Sequence, residues 1–256
     1  MKNSNVQEKS KGVILFALNT DTIDYIEIAK RASVLIKHNL NLPVTIISNI
    51  GQLKTNYRRG YADGSIWYNC GRYLAYELSP YDETLLLDSD YLILDDSLSG
   101  LLDTVVDYAI MTKNQTPTIN MTGNMGLFSL NYVWATAIAF KKTIKSKLLF
   151  ELVGKIQRNY EYYIRLYNLR ERNFRNDYAF TIADNIINGY VNSKGIPWTM
   201  LTIDNPVTKI EIKENMLTLR EQEKAHILPK QNIHIIDKEY LLSDEHKKFL
   251  EDICQN

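Results

Sequence analysis

Cysteine is almost absent: only Cys70 and Cys254 occur, far apart and without metal-ligand spacing. Both are read as free thiols of a reducing compartment. No apolar run approaches the roughly 20 residues that cross a bilayer, so no membrane span is expected. No Gly-x-Gly-x-x-Gly follows the first apolar run and no Walker-type loop occurs. Dinucleotide and ATP-phosphate cradles built on those motifs are therefore disfavoured. Excess charge is lacking too: Lys plus Arg number 30, as do Asp plus Glu, so the formal net charge is zero. Nothing in that balance pulls the whole chain toward nucleic acid or an anionic surface. Residues 1–11 are polar and lack the apolar core of a signal peptide. They are expected to be a disordered lead-in, leaving one cytoplasmic domain over 12–256.

What is present suits a large α/β domain: 45% hydrophobic and 23% charged residues. Gly12 to Leu18 predicts a buried strand, Ile23 to His38 an amphipathic helix and Leu42 to Ser48 a second strand. Such a unit implies a parallel crossover. Residues 49–66 read as a mobile loop holding Arg58 and Arg59, and Trp67 to Leu78 as a helix. Further helices are expected at Leu98 to Val106, Lys145 to Leu169, Asp177 to Asn188 and Ser243 to Ile253. Further strands are expected at 108–111, 133–140, 196–203, 209–212 and 233–237.

The informative stretch is Leu85-Leu86-Leu87-Asp88-Ser89-Asp90. Three leucines after the turn Ser79-Pro80-Tyr81-Asp82 predict a strand buried on both faces. Two carboxylates at its end need a partner, because an unpaired buried charge costs several kcal/mol, roughly. Ligands of open α/β sheets bind beyond the carboxyl ends of strands. A cation held by Asp88 and Asp90, with an anionic ligand beyond it, satisfies both conditions. A solvated acidic turn continuing into Asp95 and Asp96 is the plainer alternative.

The run from Arg72-Tyr73-Leu74-Ala75-Tyr76 through Tyr81-Asp82-Glu83 to Asp88-Ser89-Asp90 resembles nucleotide-sugar glycosyltransferases of the GT-A fold. It is most similar to glycogenin-like families, and to small enzymes of this fold encoded by tailed bacteriophages. The resemblance follows the order of elements over most of 12–188, but only the D-x-D strand and its upstream arginine are specific. It implies a mostly parallel central sheet with helices on both faces. It also implies a donor that is a nucleoside-diphosphate sugar, UDP-sugar favoured, and a Mn²⁺ or Mg²⁺ ion. Asp90 and Asp88 would hold the metal, Asp88 also the ribose, with Ser89 between them. Arg72 would face the diphosphate, with Asn69 on the same side. The first strand and its turn (Ala17, Asn19, Asp21) would hold the nucleotide base. Asn176 and Asp177 would meet the sugar or acceptor, alongside Thr136; for Asp177, a helix cap is the equal alternative.

Enzymes of this fold often add a late histidine to the metal. His234, in apolar surroundings, is either that ligand or a satisfied core histidine; His226 is the fallback. His38 reads as a cation at a helix end and His246 as solvent-facing. Arg58-Arg59, Lys141-Lys142-Lys145-Lys147 and Arg165, Arg170, Arg172, Arg175 read as solvated faces. Their alternation with Tyr160, Tyr162, Tyr163 and Tyr167 also resembles a surface that stacks bases. The expected function is transfer of a hexosyl or pentosyl group to an acceptor hydroxyl. A hydroxymethylated base of phage DNA, reached in a host cytoplasm, is one acceptor implied, and a surface polysaccharide or protein another. Rival readings are a sugar nucleotidyltransferase and a binding protein with a vestigial D-x-D.

Overall fold

Alternation along a buried strand decides how this chain is layered. In the computed structural model, which describes residues 9–50, 70–121, 123–125, 130–169, 174–191, 193–221 and 224–255, strand β1 (Lys11–Phe16) leads into helix α1 (Tyr25–Leu40) and strand β2 (Val44–Ile47). A short 3-10 turn, Arg72–Leu74, continues as α2 (Ala75–Leu78) and delivers the chain to β3 (Glu83–Leu87). Every residue of β3 is buried, as the leucine run predicts. β4 (Tyr91–Leu92), α3 (Leu101–Thr104), β5 (Tyr108–Met111) and β6 (Asn114–Gln115) follow. A small hairpin, β7 (Asn124–Met125) with β8 (Leu130–Asn131), precedes β9 (Trp134–Lys141), α4 (Ile144–Arg158), α5 (Tyr160–Leu166) and α6 (Asn176–Ile187).

The central sheet runs β2-β1-β3-β9-β5. β1 is parallel to β2 and β3, and β9 lies antiparallel between β3 and β5. Helices cover both faces. Ile14, Leu86, Ile138 and Phe140 pack with Leu149, Phe150 and Val153 of α4 and Phe180 and Ile182 of α6. Val13, Leu15, Leu85, Leu87 and Ala139 point the other way, onto Ala29, Ala32 and Ile36 of α1 and Leu101 and Leu102 of α3. The expected mostly parallel α/β domain, with its D-x-D ending a strand, is what the chain forms.

The last third adds β10 (Met200–Ile203), β11 (Lys209–Lys213), β12 (Met216–Glu221), β13 (Lys224–Pro229), β14 (Ile233–Ile235), α7 (Lys238–Leu242) and α8 (Asp244–Gln255). A second sheet, β4-β14-β10-β6, is knit from short pieces distant in sequence, and β11-β12-β13 form an antiparallel meander. Ile28 and Leu35, on another flank of α1, pack with Leu201, Ile203, Leu217, Leu219, Ile233 and Ile235. One helix thus joins the cores of both sheets.

Three expectations need correction. The helix expected over Lys145 to Leu169 is two, α4 and α5, because the Asn159 amide donates to Lys155 O at 2.9 Å and ends the ladder. His246 is not solvent-facing but 1% exposed, its Nδ1 bonded to Leu241 O at 2.9 Å. Tyr160, Tyr163 and Tyr167 are buried in the core under α4 and α6, leaving Tyr162 as the exposed member of that cluster. The expected stacking face is therefore largely interior packing. The expectations for 1–8, for 51–69 (the start of the helix expected from Trp67 and Asn69 included), and for Arg170 and Arg172 lie outside the described residues.

Candidate functional site

The D-x-D turn sits at the seam of the two sheets. Leu15 of β1 pairs with Leu87 of β3, so both strands present their carboxyl ends at the same edge. Beyond that edge the Asp88 N–H donates to Thr136 O of β9 at 2.9 Å, while Asp90 O accepts from Ile235 N–H of β14 at 2.9 Å. One aspartate is pinned by the central sheet, the next by the second sheet. Buried Ser89 lies between them.

Arg72, only 2% exposed, donates from Nη1 to Asp88 Oδ1 and from Nη2 to Ala135 O. Its turn is seated against α4 at Gly154, where a Cβ would stand 2.7 Å from the Tyr73 ring. A side chain at 154 would push that turn, and Arg72 with it, off the site. Asp90 has different partners: Lys238 Nζ lies 2.5 Å from Oδ2 and His234 Nε2 3.3 Å from Oδ1. Burial raises Asp88 above the usual carboxylate range, against the opposing pull of Arg72. For Asp90, burial pushes the same way, but Lys238 and His234 outweigh it and hold the carboxyl well below that range.

The residues present fit a divalent cation. Ligand atoms of Asp88, Asp90 and His234 all lie within 4.8 Å of one another. Asp90 Oδ1 is buried and has no hydrogen-bond partner among the described residues, although the imidazole nitrogen is close by. Two carboxylates and one imidazole are a donor set suited to Mn²⁺ or Mg²⁺ rather than to thiophilic metals.

A cavity of about 530 Å³ opens beside the cluster. Among the described residues, Arg72, Asp88, Asp90, Thr136, Asn176, Asp177 and His234 line it, as the sequence leads one to expect. His226 does not come there; it faces Glu221 on the meander, Nε2 to Oε2 3.4 Å. Asp177 is not a helix cap. Arg175 holds the cap position of α6, and Asp177 Oδ1 instead accepts from Ala135 N–H at 2.8 Å, with Oδ2 3.2 Å from Arg175 Nη2. Asn19 Oδ1 accepts from Ile26 N–H in the first turn of α1, whose cap is Asp24, at 2.9 Å, and Asn19 does not line this cavity. Ala17 is buried in the core and Asp21 is exposed; both follow β1 at the edge that carries Asp88, though neither lines this cavity. Sequence reasoning missed Tyr25, Trp134, Thr202 and Lys238, which also line it. Trp134 Nε1 is buried without a hydrogen-bond partner among the described residues.

No protein-family model matches the chain, and no curated protein matches it in sequence. Among solved structures it is similar to the apo form of the glycosyltransferase GlyE of Streptococcus pneumoniae TIGR4, at 18% identity and a TM-score of 0.37 over 70% of this chain. The chain spans 43% of GlyE. It is also similar to the galactosyltransferase LgtC in complex with donor and acceptor sugar analogs, at 14% identity and a TM-score of 0.37, covering 67% of this chain and 69% of that one. An inositol-1-phosphate CTP transferase from T. maritima aligns at 9% identity with a TM-score of 0.36, over 72% of this chain and 84% of its own.

Proposed function

We propose that this chain is a metal-dependent glycosyltransferase that moves a hexosyl or pentosyl group from a nucleoside-diphosphate sugar, UDP-sugar favoured, to an acceptor hydroxyl. The observation that carries the reading is the Asp88–Asp90–His234 cluster on the wall of a 530 Å³ cavity, beyond the carboxyl end of a fully buried strand. Asp88, Asp90 and His234 would hold Mn²⁺ or Mg²⁺. Bound there, such an ion would offset the negative charge that develops on a departing nucleoside diphosphate.

The chain's own side chains supply the rest. Arg72 fixes the Asp88 carboxylate through its fork, and adds positive charge beside the diphosphate position. Ala17, Asn19 and Asp21 follow β1 toward the same sheet edge and serve the nucleotide base, with Tyr25 offering a ring on the cavity wall. Asn176 and Asp177 present an amide and a carboxylate to the sugar and acceptor. Asp177 is held for that task by Ala135 N–H and Arg175. The acceptor carries a hydroxyl, with a hydroxymethylated DNA base, a surface polysaccharide and a protein as the classes to compare.

The test is a screen of nucleotide sugars for donor hydrolysis, with and without Mn²⁺. Metal-dependent release of a nucleoside diphosphate from one donor is expected, abolished by Asp90→Ala in a folded chain. Pyrophosphate release from a nucleoside triphosphate and a sugar phosphate would instead make it a nucleotidyltransferase.

A further inference from the structure

The second sheet places one polar side chain on each of three adjacent strands, in a row that ends on the acidic pair. Asn114 lies on β6, Thr202 on β10 and His234 on β14, with Thr202 and His234 directly opposite in the ladder. Asn114 and Thr202 touch the cavity wall but are only 1% and 6% exposed, so little of either side chain is left to water. A buried amide and hydroxyl among the leucines and isoleucines of this sheet cost stability unless they answer each other.

The hydrogens along the row can be assigned from its far end. The Asn114 amide nitrogen donates to Met121 Sδ at 3.8 Å, which leaves Oδ1 facing Thr202. The Thr202 hydroxyl donates its only proton to that oxygen, at 2.8 Å. What Thr202 then turns toward His234 is a lone pair, 3.5 Å from Nδ1. An imidazole meeting a lone pair at Nδ1 carries its proton there. Its Nε2 lone pair is thereby directed at Asp90 Oδ1, 3.3 Å away, an oxygen without a hydrogen-bond partner among the described residues. Two lone pairs facing at that distance repel, and either a second ring proton on Nε2 or a cation between the two atoms removes the repulsion.

We propose that Thr202, oriented by Asn114, is a positioning residue that holds His234 as the Nδ1–H tautomer, so that Nε2 is available to a divalent cation shared with Asp88 and Asp90. The cation half of this rests on the metal-dependent reading above; the tautomer half does not. Asn114 matters through direction. Without its oxygen the Thr202 hydroxyl is free to donate to Nδ1 and to put the ring proton on Nε2, in the cation's place.

The experiment is a Mn²⁺ titration followed by electron paramagnetic resonance, paired with ¹⁵N NMR of the histidine rings in the metal-free chain at a pH where His234 is neutral. Thr202→Val should weaken Mn²⁺ binding about 10–100-fold, the usual effect of losing a partner that orients a metal ligand. The same substitution should convert His234 from Nδ1–H to a mixture. Thr202→Ser keeps the hydroxyl and should retain both properties. Asn114→Ala should move both readouts the same way by a smaller factor, and stands in where Thr202→Val does not fold. Wild-type Mn²⁺ affinity and an unchanged tautomer in folded Thr202→Val would overturn the positioning role and leave the cation site standing. A wild-type chain that binds no Mn²⁺, yet shows the Thr202-dependent tautomer, would overturn the metal reading and uphold the row.

Discussion

The Lys238 ammonium lies 2.5 Å from Asp90 Oδ2, on a carboxylate that a divalent ion would share. It also donates to Ile235 O at 3.1 Å and Ile236 O at 2.9 Å, so β14 and the turn after it hold it in place. Lysine and a divalent ion would therefore both stabilise the Asp90 carboxylate, while the charge of each repels the other. Lys238→Met should lower stability without metal by about 3–5 kcal/mol, the usual result of stripping one partner from a buried pair. Mn²⁺ should restore more stability to the variant than it adds to the wild type. Thermal unfolding with and without Mn²⁺ measures both effects.

Arg72 answers to Asp88 and Ala135 at once. Arg72→Leu should cost about 3–5 kcal/mol in urea unfolding, because Asp88 is left half-buried with its principal cation gone. Arg72→Lys should recover little, since an ammonium cannot span a carboxylate and a carbonyl as the planar fork does. Adding Asp88→Asn to Arg72→Leu should recover part of the loss, and a double-mutant cycle reads the coupling.

Asp177→Asn keeps an oxygen for Ala135 N–H but loses the charge that faces Arg175. Sugar transfer should fall by about 10²-fold or more while unfolding midpoints stay within error. Equal losses of activity and stability would reduce Asp177 to a structural role.

His246 offers a pH signature remote from the site. Burial is the first cause and Arg31 adds to it; together they push its pKa down to about 4 in the folded chain, from an ordinary 6.5. The folded state therefore binds fewer protons than the unfolded one between those values. Stability should be fully present above about pH 6.5 and fall as pH drops toward 4, by about 3 kcal/mol in all. His246→Phe, which can keep the contacts with Tyr240 and Phe249, should flatten that slope in urea unfolding measured from pH 4.5 to 7.

The sequence displays a residue's role where that role is local. Leu85 to Leu87 announce a doubly covered strand, and two carboxylates after them announce a site, because burial and charge are properties of the stretch itself. His234 is ambiguous by the same measure: Ile233 and Ile235 say that it is interior, not what it meets. Thr202, Asn114 and Lys238 are silent, since each gains its meaning from a strand far away in the chain. Asp177 misleads because an acid at a helix start is an ordinary cap, and only the Ala135 N–H, arriving from β9, draws it elsewhere. Of the meander, β11 is legible at 209–212, whereas β12 and β13 are hidden by their many charged and polar residues, although Leu217 and Leu219 of β12 face inward with Ile210 of β11.

The seam on which the acidic turn rests has a consequence for motion. Asp88 is tied to β9 and Asp90 to β14, so an ion gripped by both carboxylates and His234 would act as a clasp between the central sheet and the chain's final third. Closing so long a loop by a single bond restricts many conformations of the opened chain. Bound cation should therefore slow amide exchange in β10, β14 and α7, at positions that never touch it, while β1 and β3 keep their rates.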